Sequence, residues 1–110
     1  MRRHNLPAIA VIGNDACWSQ ISRDQVRILS SNIACELGFT PYHMVGSAYA
    51  ACIKPGKETG LVGAYLIGQD NVDETREIFH KAIEDQAKGQ PAVINCLIGC
   101  TDFREGSISC

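Results

Sequence analysis

Continuous apolar runs and runs with helical spacing alternate along this chain. Leu6 to Ile12 is apolar and bounded by Pro7 and Gly13, which predicts a strand buried on both faces, as in a parallel sheet. Residues 60–68 (GLVGAYLIG) and 91–99 (PAVINCLIG) are two more such runs, apolar throughout. Between them Val72, Thr75, Ile78, Phe79, Ala82, Ile83 and Gln86-Ala87 recur on one helical face. Asn71 predicts the N-cap of that helix, with Glu74 completing a capping box, and Gly89 with Pro91 predicts its end. Tyr42 to Ala51 reads as a short helix with Pro41 in its first turn and Thr40 as N-cap. Ser22 to Gly38 mixes Val26, Ile28, Leu29, Ile33, Ala34 and Leu37 with polar residues and predicts a partly helical segment. CIKPGKETG at 52–60 reads as a surface loop, and the polar tail 100–110 as irregular.

The resulting order, strand, helix, strand, helix, strand, predicts an α/β layer with a parallel sheet and right-handed crossovers. At 110 residues the chain has room for one domain with a modest core. Hydrophobic residues make up 45% and charged residues 20%, and the net charge is −2, an ordinary balance for a globular chain. No Lys/Arg stripe alternates with aromatics, which argues against a nucleic-acid partner. The six cysteines at 17, 35, 52, 96, 100 and 110 include no C-x-x-C, and we expect reduced, mostly buried thiols. Cys96 and Cys100 have no His near them in the sequence, which argues against zinc. The basic start MRRHNLPAIAVIG is not read as a leader. Its apolar run is about 7 residues, at the lower limit of a signal-peptide core, and it leads to Asn-Asp rather than to small residues. It is also too short to cross a bilayer.

The chemistry concentrates where the first apolar run meets Gly13-Asn14-Asp15. Ligands of parallel α/β sheets bind beyond the carboxyl ends of the strands. An Asn carbonyl beside a backbone carbonyl and phosphate oxygens would make a hard oxygen shell suited to Mg²⁺. Asn and Asp also end strands simply because they tolerate turns, and the pair alone does not choose between these readings. A small phosphate-binding domain of another kind is disfavoured, because no Gly-rich loop follows any strand.

The wider stretch RRHNLPAIAVIGNDACWSQISRDQ resembles the thiamine-diphosphate-dependent enzymes, in the branch that holds acetolactate synthases and 2-hydroxyacyl-CoA lyases. SSNIACELGFTPYH, GLVGAYLIGQDN, GQPAVINCLIG and TDFREGSIS fit the same branch, and only residues 50–59 look like an inserted loop. The fold this resemblance implies is the C-terminal part of a three-layer, mainly parallel α/β domain that binds thiamine diphosphate, truncated at its N-terminus. It implies Asn14 as a Mg²⁺ ligand through its side chain and Ala16 through its backbone carbonyl. Gly13, Asn14, Asp15, Ala16, Cys17 and Trp18 would lie along the cofactor, and Gln20 with Trp18 would face the cofactor or substrate. For Trp18, core packing is the alternative. The implied cofactors are thiamine diphosphate and Mg²⁺, and the implied substrate is a small acyl-CoA or a 2-oxo acid. In the lyase branch the reaction splits a 2-hydroxyacyl-CoA into a shortened aldehyde and formyl-CoA, while a carboligase of the acetolactate synthase type is the alternative. The full-length parent is expected to be a homo-oligomer at the endoplasmic reticulum membrane.

The family pattern also requires an upstream Gly-Asp-Gly and a Glu from a separate N-terminal domain. Thirteen residues precede Asn14, none of them Asp or Glu, and Glu36, Glu58 and Glu74 stand in the wrong segments. We therefore expect half of a metal site, no catalysis by this chain alone and low stability. Pairing with a full-length subunit as a non-catalytic partner is the further expectation.

Overall fold

A computed structural model describes residues 4, 6–51, 63–68 and 71–99, with the backbone alone for 49–51. The predicted loop at 52–60 and the tail 100–110 lie outside the described residues, as do 60–62 of the second apolar run. The elements are β1 (Ile9–Asn14), α1 (Ser19–Leu29), α2 (Met44–Ala51), β2 (Gly63–Ile67), α3 (Val72–Ala87) and β3 (Ala92–Leu97). The strands form one parallel sheet in the order β1-β3-β2, as the three apolar runs predicted.

Register sorts the side chains between two faces. Ile9, Val11 and Gly13 lie level with Ala92, Ile94 and Cys96, and with Gly63, Tyr65 and Ile67. This face carries the core: Ile67, Ala92 and Ile94 pack with Ile78 and Ala82 of α3, and Ile9, Tyr65, Phe79 and Cys96 border them. The other face carries Ala10, Ile12 and Asn14 beside Val93, Asn95 and Leu97, and α2 and the segment before it lie against it. Helix on either side of a parallel sheet makes the layers of an α/β fold. β3 is the central strand and its first four residues are buried.

The third strand thus matches a run buried on both faces, but the first does not. β1 is an outer strand of the described sheet, and Val11 is 53% exposed. β1 also does not stop before the polar pair. Gly13 and Asn14 pair with Cys96 and Leu97, and the Asn14 carbonyl accepts from the Ile98 amide at 3.0 Å. The turn falls one residue later, where Ala16 takes a left-handed conformation at φ 55.

α3 follows its predicted caps. Asn71 Oδ1 accepts from the Asp73 and Glu74 amides at 3.1 and 3.0 Å, which is the Asn71 half of the capping box. At the other end Gly89, at φ 79, donates to Gln86 O at 2.9 Å while the Gln90 amide donates to Asp85 O at 2.8 Å. These are the two bonds of a Schellman stop. Its buried stripe is narrower than predicted: Ile78 and Ala82 are buried, Thr75 and Phe79 half-buried, and Val72, Ile83, Gln86 and Ala87 exposed.

The other two helices refine the sequence reading. The segment 22–38 is partly helical as expected, over 22–29, within α1 (Ser19–Leu29), and Ser30 in the left-handed region ends that helix, its amide bonded to Val26 O. Residues 30–43 hold no regular helix. Gln25 fastens this return, donating through Nε2 to Ser31 O at 3.1 Å and Ile33 O at 2.9 Å and taking the Cys35 thiol on Oε1. A side chain on α1 thus holds backbone that helical periodicity had seemed to claim. α2 begins at Met44, so Thr40 is not its N-cap. The Tyr42 amide instead turns back to Thr40 O at 2.8 Å around Pro41.

Of the described cysteines, 17, 35 and 96 are free thiols, but only Cys35 is buried. The expectation of mostly buried thiols is therefore too broad, and Cys52, Cys100 and Cys110 lie outside the described residues.

Candidate functional site

The carboxyl end of β1 places Asn14, Asp15, Ala16 and Cys17 in one tight turn before α1. Asn14 is 4% exposed. Its Oδ1 accepts from the Ala16 amide at 3.1 Å, and its Nδ2 donates to Thr40 O at 3.0 Å. Asp15 closes the turn: Oδ1 accepts from the Cys17 amide at 3.2 Å and Oδ2 accepts from the Ser19 hydroxyl at the first turn of α1. A carboxylate at a helix N-terminus is favoured by the exposed peptide dipoles. Trp18 stands at the N-cap of α1 with no side-chain cap bond.

The segment after α1 returns to brace this turn. Cys17 and Glu36 form an antiparallel bridge, the Trp18 amide donates to Cys35 O at 2.8 Å, and the Leu37 amide donates to Ala16 O at 2.8 Å. Ala16 thus holds a left-handed conformation that costs an L-residue about 1–2 kcal/mol, fixed by bonds at both its amide and its carbonyl. Strain of this kind, over-determined by its surroundings, is a mark of functional turns.

Gly13, Asn14, Asp15, Ala16, Cys17 and Trp18 thus run from the carboxyl end of β1 to the start of α1. Trp18 is 55% exposed, so core packing does not explain it. Gln20 is also exposed. Gly13 has little spare room, since a Cβ there would lie 3.2 Å from Ile98 Cδ1.

The donor set is oxygen-rich and neutral. Asn14 Oδ1 and Ala16 O each accept one backbone N–H, and a carbonyl oxygen has two lone pairs, so each retains one. Two such oxygens fit two positions of a Mg²⁺ shell, which takes hard oxygen ligands. The Asp15 carboxylate is engaged within its own turn, and among the described residues no three His, Cys, Asp or Glu side chains cluster to hold a metal.

Sequence reasoning passed over two participants. Asn95, on β3, is fully buried, and its Nδ2 donates to the same Thr40 carbonyl at 3.2 Å. Thr40 O is therefore shared by three donors: the Tyr42 amide and the Asn14 and Asn95 side chains. A signal was present, since Asn95 is the one strongly polar side chain in the run at 91–99. Thr40 left none, because its role is played by its backbone.

The fold and this turn together describe a parallel α/β layer with an oxygen-donor turn at a strand's carboxyl end. Comparison with known proteins gives that class a particular identity to resemble. The chain is 49% identical to the 2-hydroxyacyl-CoA lyase 2 of Danio rerio over 107 residues, 97% of this chain and 16% of that protein. It is 49% identical to the same-named protein of Xenopus laevis over 112 residues, 99% of this chain and 17% of that protein. Against that of Homo sapiens it is 43% identical over 107 residues, 97% and 15% respectively. The chain thus spans about a sixth of the length of the curated relatives it matches. No family model matches it, and no solved structure does.

Proposed function

We propose that this chain forms part of a thiamine-diphosphate- and Mg²⁺-dependent carbon–carbon lyase that cleaves 2-hydroxyacyl-CoA to a shortened aldehyde and formyl-CoA. The observation that carries this reading is similarity along 97–99% of the chain to proteins named 2-hydroxyacyl-CoA lyase 2. The Asn14–Cys17 turn at the carboxyl end of β1 supports it physically. When bound, thiamine diphosphate would supply the nucleophilic carbon and the electron sink for cleavage. This chain's own share is to present Asn14 Oδ1 and Ala16 O to the metal and to lay Gly13 and the Asp15-Ala16-Cys17 backbone along the diphosphate. Trp18, exposed at the start of α1, would border the cofactor or substrate.

Two oxygens are two of the six positions of an octahedral Mg²⁺ shell, so the isolated chain is expected to bind weakly and not to turn over. The proposal extends to pairing with a full-length subunit at the endoplasmic reticulum; the exposed apolar side chains of α1, Ile21, Val26, Ile28 and Leu29, are surface that a protein partner could cover. Among the described residues no helix is long and apolar enough to cross a membrane. Calorimetry with Mg²⁺ and thiamine diphosphate tests the reading. The chain should bind, and Asn14→Ala should weaken binding at least about tenfold, as for loss of one charge-assisted contact. Equal affinity of the two would remove Asn14 from the site.

A further inference from the structure

We propose that Asn95 is a positioning residue for the Asn14 carboxamide and acts through the Thr40 carbonyl. The proposal rests on the reading of Asn14 as a metal ligand. Asn14 and Asn95 stand on different strands but project from the same face, because Ile12 is level with Asn95 and Asn14 with Leu97. Both NH₂ groups meet Thr40 O, at 3.0 and 3.2 Å. A carbonyl only accepts, so the side of Asn14 that faces Thr40 must be its NH₂. Its Oδ1 is thereby turned the other way, into the strained turn, where it accepts from the Ala16 amide. Rotating the carboxamide by half a turn would set two carbonyl oxygens against each other.

Thr40 lies in the 30–43 return, which has no regular structure to fix it. The Leu37 amide ties this return to Ala16 O, and Asn95 ties it to the central strand. Without Asn95, Thr40 O keeps only its local Tyr42 bond and the Asn14 side chain it is meant to orient. Asn95 is also expensive as a packing residue. It is fully buried, and its Oδ1 has no hydrogen-bond partner among the described residues. An unmade bond of this kind is destabilising, and a leucine of similar size would avoid it. What the asparagine supplies that leucine cannot is a donor to Thr40.

The test is side-chain amide NMR of the ¹⁵N-labelled 110-residue chain, with calorimetry against Mg²⁺ and thiamine diphosphate. In the wild-type chain the Asn14 and Asn95 NH₂ pairs should exchange slowly and show a cross-peak to one another. Absence of that cross-peak overturns the proposal without any variant. Asn95→Leu and Asn95→Val, which remove the donor without adding another, should speed exchange of the Asn14 pair about tenfold or more. They should weaken binding by about 10–100-fold, the range for residues that orient a metal ligand, while backbone signals of β2 and α3 stay in place. Unchanged Asn14 exchange in both variants overturns the proposal. If Asn14→Ala binds as well as wild type, the ligand reading fails, and the exchange data still decide whether Asn95 orients Asn14.

Discussion

Ala16 carries the most strained backbone of the candidate site, a left-handed alanine held from both sides. Glycine adopts that conformation without the Cβ penalty. Ala16→Gly is therefore expected to raise unfolding free energy by up to about 1 kcal/mol while weakening Mg²⁺-dependent cofactor binding, because the turn is less preorganised. Urea denaturation beside calorimetry reads both, and a variant that loses stability would contradict the strain. Gly63 is the opposite case. A Cβ there would lie 2.6 Å from Tyr65 Cε2, 2.9 Å from Asp85 Oδ2 and 3.1 Å from Ala92 Cβ. Gly63→Ala should cost about 1–3 kcal/mol through overpacking, measured in the same denaturation series. The neighbouring Tyr65 hydroxyl donates to Asp85 Oδ2 at 2.6 Å. Burial, then the bond and charge of Asp85 and the charge of Glu84, push the Tyr65 phenol up to about 12. A phenol raised in the folded state stabilises fully below its ordinary value near 10 and loses that contribution as pH climbs to about 12. Tyr65→Phe should flatten the alkaline loss of stability between those limits, and an unchanged pH profile would show that the Tyr65–Asp85 latch contributes nothing.

At the scale of elements, α3 is the part the sequence displays most fully. Asn71→Ala should destabilise the chain by about 1 kcal/mol, the usual worth of an N-cap, with loss of helical circular dichroism on mild heating as the check. The caps were legible because they depend on residues within one helical turn of the end they close. The three strands were legible for a similar local reason, since each is a short apolar run between breakers. Sheet order was not, so nothing in Leu6 to Ile12 announced that Val11 would stand on an outer strand. Where the helix ends within 22–38 was not legible, because Gln25 holds the 31–35 return by side-chain bonds that leave no periodic signature. The site was half legible. Gly13-Asn14-Asp15 stood out by its place after an apolar run, whereas the Thr40 carbonyl and Asn95 join it only through register and a backbone acceptor. Identifying Asn14 with a metal required the resemblance, because the residue pair alone suits an ordinary turn equally well.

For the molecule as a whole, the described core is small beside what it leaves uncovered. Ile28 is 73% exposed and Ile33 76%, with Leu29, Phe39 and Met44 also exposed. A chain with this much apolar surface should bind a hydrophobic dye, self-associate at high concentration and melt at low temperature; a sharp high-temperature melt of a dye-free monomer would contradict this. The central claim, that the carboxyl end of β1 holds a metal–diphosphate group, is tested most directly with paramagnetic Mn²⁺ in place of Mg²⁺ and thiamine diphosphate present. The account predicts broadening that is strongest for the Gly13–Cys17 and Leu37–Thr40 amide signals, falls off along β3 and β2 with distance from the carboxyl end of β1, is weakest in the C-terminal half of α3, and is lost in Asn14→Ala. Broadening centred elsewhere, or none at all, would contradict it.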